Sequence, residues 1–224
     1  RRIAKAAREA GVQRLVHISA IGANKNSNSK YAVSKAEGEA AVLAEFPSAI
    51  ILRPSIVFGP EDQFFNRFAA LARVSPVLPL VGGGRTKFQP VFSGDVGEAV
   101  ANAVTGSGKA GEVYELGGPQ IVTFREILES ALQYSGRQKM LLPVPFWMMK
   151  LQALLTWPLP NAIRPVTVDK LRLLKLDNVV SDAAKRDDRT IAALGVPQPA
   201  SIEAIVPQYL ERFNPKGQYA SYRV

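Results

Sequence analysis

A strand, a helix and a second strand in close succession constrain this chain's fold more than anything else in it. The run Arg14-Leu15-Val16-His17-Ile18-Ser19 reads as a strand, a short polar loop follows, and a helix begins near Lys30. Beyond Pro47, Ala49-Ile50-Ile51-Leu52-Arg53 reads as a second strand, leading into Pro54-Ser55-Ile56-Val57-Phe58-Gly59-Pro60. Strands joined by a helical crossover predict a parallel βαβ unit, because a tight turn cannot join parallel strands. Upstream, Arg1 to Ala10 has helical patterning and stops at Gly11, a residue suited to the position after a helix.

The crossover helix carries Tyr31-Ala32-Val33-Ser34-Lys35. Four residues apart, Tyr31 and Lys35 lie one turn apart on the same face. An ammonium beside a phenol favours the phenolate, so the spacing predicts a lowered phenol that exchanges a proton near neutral pH. The lysine can also donate to the hydroxyls of a ribose.

Later segments continue the alternation. Phe64, Phe65, Phe68, Leu71 and Ala72 form an apolar helical stripe, which Pro76 and Pro79 are expected to break. Gly82-Gly83-Gly84 reads as a turn before a strand from Gln89 to Ser93, with Asp95 as N-cap of a helix from Val96 to Val104. Glu112 to Leu116 reads as a strand closed by Gly117-Gly118-Pro119, and Thr123-Phe124-Arg125-Glu126 fits a capping box opening a helix to Tyr134. Residues Met140 to Ile163 differ in kind: both tryptophans, Trp147 and Trp157, and all three methionines lie there among four prolines. Those prolines and Lys150 leave no uninterrupted run long enough to cross a bilayer. Two readings stand: a lid over a substrate pocket, or an apolar face at a membrane or partner surface with the tryptophans in the interface layer. The run from Arg164 to Arg189 reads as a solvated face, and Asn214 to Val224 as an extended docking arm.

Charge and composition narrow the chemistry. Twenty-eight basic residues against nineteen acidic ones give +9, an excess suited to anionic cofactors, anionic lipid or an acidic partner. The basic residues are spread out, with no recognised nucleic-acid module, so nucleic acid is not expected as a partner. With no cysteine and His17 the only histidine, no metal site is expected, and a Ser-His-Asp triad would hang on one residue. His17 falls in a strand and is expected to be half-buried.

At these residues the sequence resembles the extended or atypical short-chain dehydrogenase/reductase superfamily. The residues that carry the resemblance are His17-Ile18-Ser19, Tyr31-x-x-x-Lys35, Arg53-Pro54-Ser55-Ile56-Val57-Phe58-Gly59 and Gln89-Pro90-Val91-Phe92-x-x-Asp95-Val96. It implies an α/β fold: the C-terminal portion of a doubly wound, Rossmann-like parallel sheet plus a smaller, mostly helical C-terminal region. Residues 1–118 would be the later βα units of the NAD(P)-binding domain, and 119–224 the substrate- or partner-facing part. In that superfamily a phosphate-cradling glycine loop precedes the Tyr/Lys helix. None precedes it here, so the chain is expected to be the C-terminal part of a longer protein. It should hold the catalytic half of a nicotinamide site without the half that grips the adenine side.

The resemblance also implies roles. Tyr31 would be the acid/base, Lys35 its tuner and ribose anchor, and Ser19 the hydroxyl that steadies substrate charge. Pro54, Ser55 and Ile56 would hold the nicotinamide amide, the last two through backbone groups. Two departures weigh against an ordinary enzyme. The positions after Ser19, where the family often carries its active serine, are Ala20 and Ile21, and Phe88 stands where sugar-nucleotide epimerases tend to place an arginine.

Within the superfamily, the run Phe58-Gly59-Pro60-Glu61-Asp62-Gln63-Phe64-Phe65-Asn66-Arg67-Phe68-Ala69 and the Pro/Trp-rich block after Leu141 are most similar to the NAD(P)-binding accessory-subunit family of respiratory complex I, in its bacterial form. That family implies NADPH, or else NADH, held as a structural cofactor. Its partners are other complex I subunits at the junction of the peripheral and membrane arms, with membrane-surface contact through 140–163. It implies a peripheral location on the cytoplasmic face of a bacterial inner membrane or the matrix face of the mitochondrial one. Three functions stand open: a non-catalytic nucleotide-stabilised subunit, an active oxidoreductase or isomerase using Tyr31 and Lys35 on a carbonyl or alcohol, and a structural fragment that binds nothing.

Overall fold

The computed structural model describes residues 1–156, 167–215 and 217. Along the chain run α1 (Arg2–Glu9), β1 (Val16–Ile18), α2 (Lys30–Glu45) and β2 (Ile50–Pro54). Next come β3 (Val57–Phe58), α3 (Phe65–Val74), β4 (Val77–Val81), β5 (Lys87–Phe88) and β6 (Val91–Phe92). They are followed by α4 (Ser93–Thr105), β7 (Val113–Leu116), β8 (Val122–Thr123), α5 (Phe124–Tyr134), β9 (Met140–Val144) and α6 (Phe146–Leu155). The helices α7 (Val168–Leu173), α8 (Asp182–Arg186) and α9 (Ile202–Leu210) come last.

Two compact units interleave along the sequence. The first takes Arg1–Val57, Gln89–Gln120 and Asn178–Ser201, the second Phe58–Phe88, Ile121–Asp177 and Ile202–Val224. The boundary expected at 118 lies beside one of these crossings. The other crossings come from distant segments returning to each unit, which a single cut does not capture.

In the first unit β1, β2 and β7 form a parallel sheet in that order, with His17 opposite Ile51 and Leu52 opposite Tyr114. The alternation along β2 sends its side chains to both faces. Ile51 packs with Ala4, Val42 and Phe46 of the α1/α2 side, whereas Ile50 and Leu52 pack with Val96, Ala99, Ala103 and Leu194. Helices on both faces of a parallel sheet make the doubly wound arrangement, as the βαβ reading implies. Full burial of Ile50, Ile51 and Leu52 contributes about 1.5–3 kcal/mol each.

Asp95 departs from expectation. The helix starts earlier, at Ser93, so Asp95 lies within the first turn, and its Oδ2 accepts from Ala200 N at 2.7 Å. The strand expected from Gln89 to Ser93 shortens to Val91–Phe92, because Gln89 spends its side chain and amide on neighbours outside a ladder.

The second unit holds the larger surprise. Val77–Val81 and Met140–Val144 pair as parallel strands, with Pro79 opposite Leu142 and Leu80 opposite Pro143. Prolines argue against strands, but a two-stranded ladder leaves each strand a free edge that a missing N–H can face. Asp62 seats the start of α3, accepting from Phe64 N at 2.9 Å, Asn66 N at 3.1 Å and the Tyr209 hydroxyl at 2.5 Å. Phe64, Phe68, Phe88 and Phe124 meet edge-on or tilted around it. The capping box is formed as read, Thr123 Oγ1 accepting from Glu126 N and Glu126 accepting from Thr123 N.

Candidate functional site

The expected site residues lie in the first unit, at and beyond the carboxyl ends of β1 and β2, where open α/β sheets place their ligands. Ser29 caps α2, its side chain accepting from Ala32 N, and so sets where the helix begins. That start fixes the register of Tyr31, Lys35 and Glu39, each one turn beyond the last on one stripe.

Tyr31 and Lys35 meet, but not as the spacing leads one to expect. Lys35 Nζ lies over the face of the Tyr31 ring, 5.6 Å from its centroid. Tyr31 is half exposed, and burial of its phenol pushes that group up from its ordinary value. Here the ammonium meets the ring's π face, and burial keeps the phenol protonated at neutral pH.

Ser19 lies at the end of β1, buried at 3 % relative exposure. Among the described residues its Oγ has no hydrogen-bond partner in acceptable geometry, although it is near enough to the Glu39 carboxylate to help lower that acid. A buried hydroxyl without a partner is costly, and a ligand atom arriving there would relieve the cost. Ala20 and Ile21 follow it, so this part of the rim supplies no second hydroxyl.

The Pro54-Ser55-Ile56 turn is fastened on both sides. Ile21 N donates to Pro54 O, Ser55 N to Leu116 O and Val91 N to Ile56 O, at 3.0, 2.9 and 2.9 Å. Two of the backbone groups assigned to the nicotinamide amide, Ser55 N and Ile56 O, are therefore already bonded within the protein. The Ser55 hydroxyl is held too, 2.6 Å from Oδ1 and 2.9 Å from O of Asn178.

Beneath this rim is a pair that sequence reasoning gave no role. Arg53 Nε and Nη2 donate to Glu39 Oε1 and Oε2 at 2.8 and 2.6 Å, a two-point pair with Glu39 buried. Burial alone would raise Glu39, but the Arg53 bonds and charge outweigh it and hold the carboxyl below its ordinary value. His17 is half-buried against the same face of α2, and a Cβ on Gly38 would lie 3.9 Å from its Nε2. Burial first, then the Lys35 charge, lowers His17, so it is neutral at pH 7. The four-residue step from Lys35 to Glu39 was the available signal for this pair. Asn178 had none, because its partners lie 123 and 157 residues away.

These residues fit the nicotinamide-ribose half of a dinucleotide. They supply a buried orphan hydroxyl, an amine without an ion pair among the described residues, and a turn held rigid at a strand end.

A parallel sheet wound with helices and carrying this rim defines a nucleotide-binding class. The profile of the NAD dependent epimerase/dehydratase family matches residues 1–117, and the chain belongs to that family. The chain is 34 % identical over 183 residues to "NADH dehydrogenase [ubiquinone] 1 alpha subcomplex subunit 9, mitochondrial" from Arabidopsis thaliana, covering 78 % of this chain and 45 % of that protein. It therefore spans about half the length of the curated relatives it matches. A shorter stretch of 81 residues is 46 % identical to a "Ceramide reductase" of Caulobacter vibrioides, covering 36 % of this chain and 25 % of that protein. Among solved structures, DesIV, a dTDP-glucose 4,6-dehydratase from Streptomyces venezuelae with NAD and TYD bound, superposes with a TM-score of 0.66. At 21 % identity, over 99 % of this chain and 64 % of that one, the likeness establishes the shared fold alone.

Proposed function

We propose that the protein is an NAD(P)-binding, non-catalytic accessory subunit of NADH:ubiquinone oxidoreductase (complex I), holding its nucleotide as a structural cofactor. The observation that carries this reading is a Tyr31/Lys35 pair whose ammonium meets the ring face, on a rim where the unbonded Ser19 hydroxyl is buried and no second hydroxyl follows it. Ser19 is buried next to Glu39, Ser55 is bonded to Asn178, and the two positions after Ser19 are Ala20 and Ile21. When bound, the nucleotide supplies a hydride donor or acceptor. In this reading the chain's own residues only bind it: Lys35 anchors the ribose, and Ser19 and Tyr31 line the nicotinamide side. The Pro54-Ser55-Ile56 turn meets the carboxamide through backbone groups other than the already bonded Ser55 N and Ile56 O.

NADPH is the proposed form over NADH, on the family resemblance. The proposed partners are complex I subunits where the peripheral and membrane arms join. Contact with a membrane surface through 140–163 is supported by α6, whose Trp147, Met148, Leu151, Leu154 and Leu155 are exposed while Met149 and Ala153 are buried. Trp157 lies outside the described residues. No helix among the described residues is long and apolar enough to cross a membrane, so such contact would be peripheral. The proposed location is the cytoplasmic face of a bacterial inner membrane or the matrix face of the mitochondrial one.

A second reading, an active reductase on a carbonyl or alcohol, is favoured by the short stretch of higher identity to the Caulobacter enzyme. Two substitutions separate them. For a structural subunit, Tyr31→Phe leaves stability and nucleotide retention intact, while Lys35→Ala loosens the nucleotide. Turnover of a carbonyl substrate by the wild type that Tyr31→Phe abolishes would replace the first reading with the second.

A further inference from the structure

The segment Asn178–Val180 is stitched across the carboxyl ends of all three strands of the first unit's sheet. Beyond β1, Asn178 Nδ2 donates to Ile21 O at 3.3 Å. Beyond β2, the Ser55 hydroxyl shares its one proton between Asn178 Oδ1 and O. Gln89 makes the third attachment. Its backbone N donates to Asn178 O at 3.0 Å, its Oε1 accepts from Val180 N at 3.0 Å, and its Nε2 donates to Gly118 O, beyond β7, at 2.8 Å. The seam tolerates no side chain there, since a Cβ on Gly118 would lie 1.9 Å from Pro90 O.

Within this lacing Asn178 has a distinct place. The backbone bonds of Pro54, Ser55 and Ile56 fasten the turn to its neighbours in the unit, and Ser55 is buried at 6 % exposure. The Ser55 side chain is held by Asn178 alone among the described residues. A turn fixed before the ligand arrives spares the ligand the cost of ordering it. We propose that Asn178 is a positioning residue for the nicotinamide nucleotide, pre-setting the Pro54-Ser55-Ile56 turn through the Ser55 hydroxyl. This rests on the nucleotide-holding reading above and adds to it a residue from the far end of the sequence. Gln89 belongs to the same seam without touching Ser55, which makes it the structural comparator.

The test is NADPH titration of the native protein and of Asn178→Ala, Ser55→Ala, the double variant and Gln89→Ala, followed by calorimetry or nicotinamide fluorescence, with melting temperatures taken without nucleotide. Loss of one such hydrogen bond predicts about five- to tenfold weaker binding in Asn178→Ala and in Ser55→Ala. The double variant then loses less than the sum of the two single losses, because both remove the bond between the Ser55 hydroxyl and Asn178 Oδ1. Gln89→Ala lowers the nucleotide-free melting temperature yet keeps wild-type affinity. Unchanged affinity in Asn178→Ala, additive losses in the double variant, or an equal loss in Gln89→Ala would each overturn the inference while leaving nucleotide binding standing. Should Asn178→Ala not fold, Ser55→Ala against Gln89→Ala makes the same comparison. A wild type that binds no NADPH removes the nucleotide reading itself, and this inference with it.

Discussion

Glu39 is a consequential buried charge in the first unit, because one carboxylate pairs with Arg53 at two points and its charge also acts on His17. Deleting it strands Arg53 without its partner. Glu39→Ala is predicted to cost about 3 kcal/mol in urea unfolding; a loss within error would mean the pair is dispensable. The pH dependence has a definite sign. Glu39 is held below its ordinary value in the fold, so its stabilisation is present above the unfolded carboxyl value and lost as pH falls through the folded one. His17 is also lowered, so the unfolded chain takes up its proton first, and stability falls as pH drops below about 6.5. Both act in the same direction in acid. His17→Gln should flatten unfolding free energy just below about pH 6.5, and an unaltered slope there would contradict the assignment. That Tyr31 and Lys35 share one face of a helix was legible from their spacing, but the sign of the phenol's shift was not. Spacing places an amine one turn away without saying whether it meets the oxygen or the ring face.

Elements with a local signal were read well. Thr123 and Glu126 close their capping box within four residues, so α5 begins and ends where the sequence places it. Thr123→Ala should cost about 1 kcal/mol, measured by thermal melting; no change would mean the cap is idle. The β4/β9 ladder was missed because its stability comes from pairing across some sixty residues, while Pro79 and Pro143 point locally the other way. Gly82 guards that ladder's end. Its φ is +61°, and an added Cβ would lie 2.2 Å from the Phe146 ring, so Gly82→Ala should destabilise by at least about 1–2 kcal/mol. Helix α6 carries apolar residues on both faces, and the exposed one is the element-scale prediction for partnership. Trp147→Ser with Leu151→Ser should release the protein from anionic phospholipid vesicles in a flotation assay. Equal retention would remove α6 from the proposed membrane contact.

At the scale of the whole molecule, family and fold rest on ordered motifs read together, since Tyr31-x-x-x-Lys35 alone is a common helix pattern. What was not legible was how distant segments return to each unit: Asn178 to the rim of the first, Tyr209 to Asp62 in the second. Such contacts depend on assembled geometry and leave no periodicity behind. A bound nucleotide adds its binding free energy to the folded state, about 2.7 kcal/mol at a hundredfold excess over Kd. The central claim, a nucleotide held for structure rather than turned over, is tested most directly by purifying the protein gently from its native cell. The nucleotide released on denaturation is then identified together with the polypeptides that accompany it. The account predicts NADPH that no carbonyl substrate oxidises, arriving with respiratory-chain subunits. A site that exchanges rapidly and turns substrate over, with no such subunits present, would contradict it.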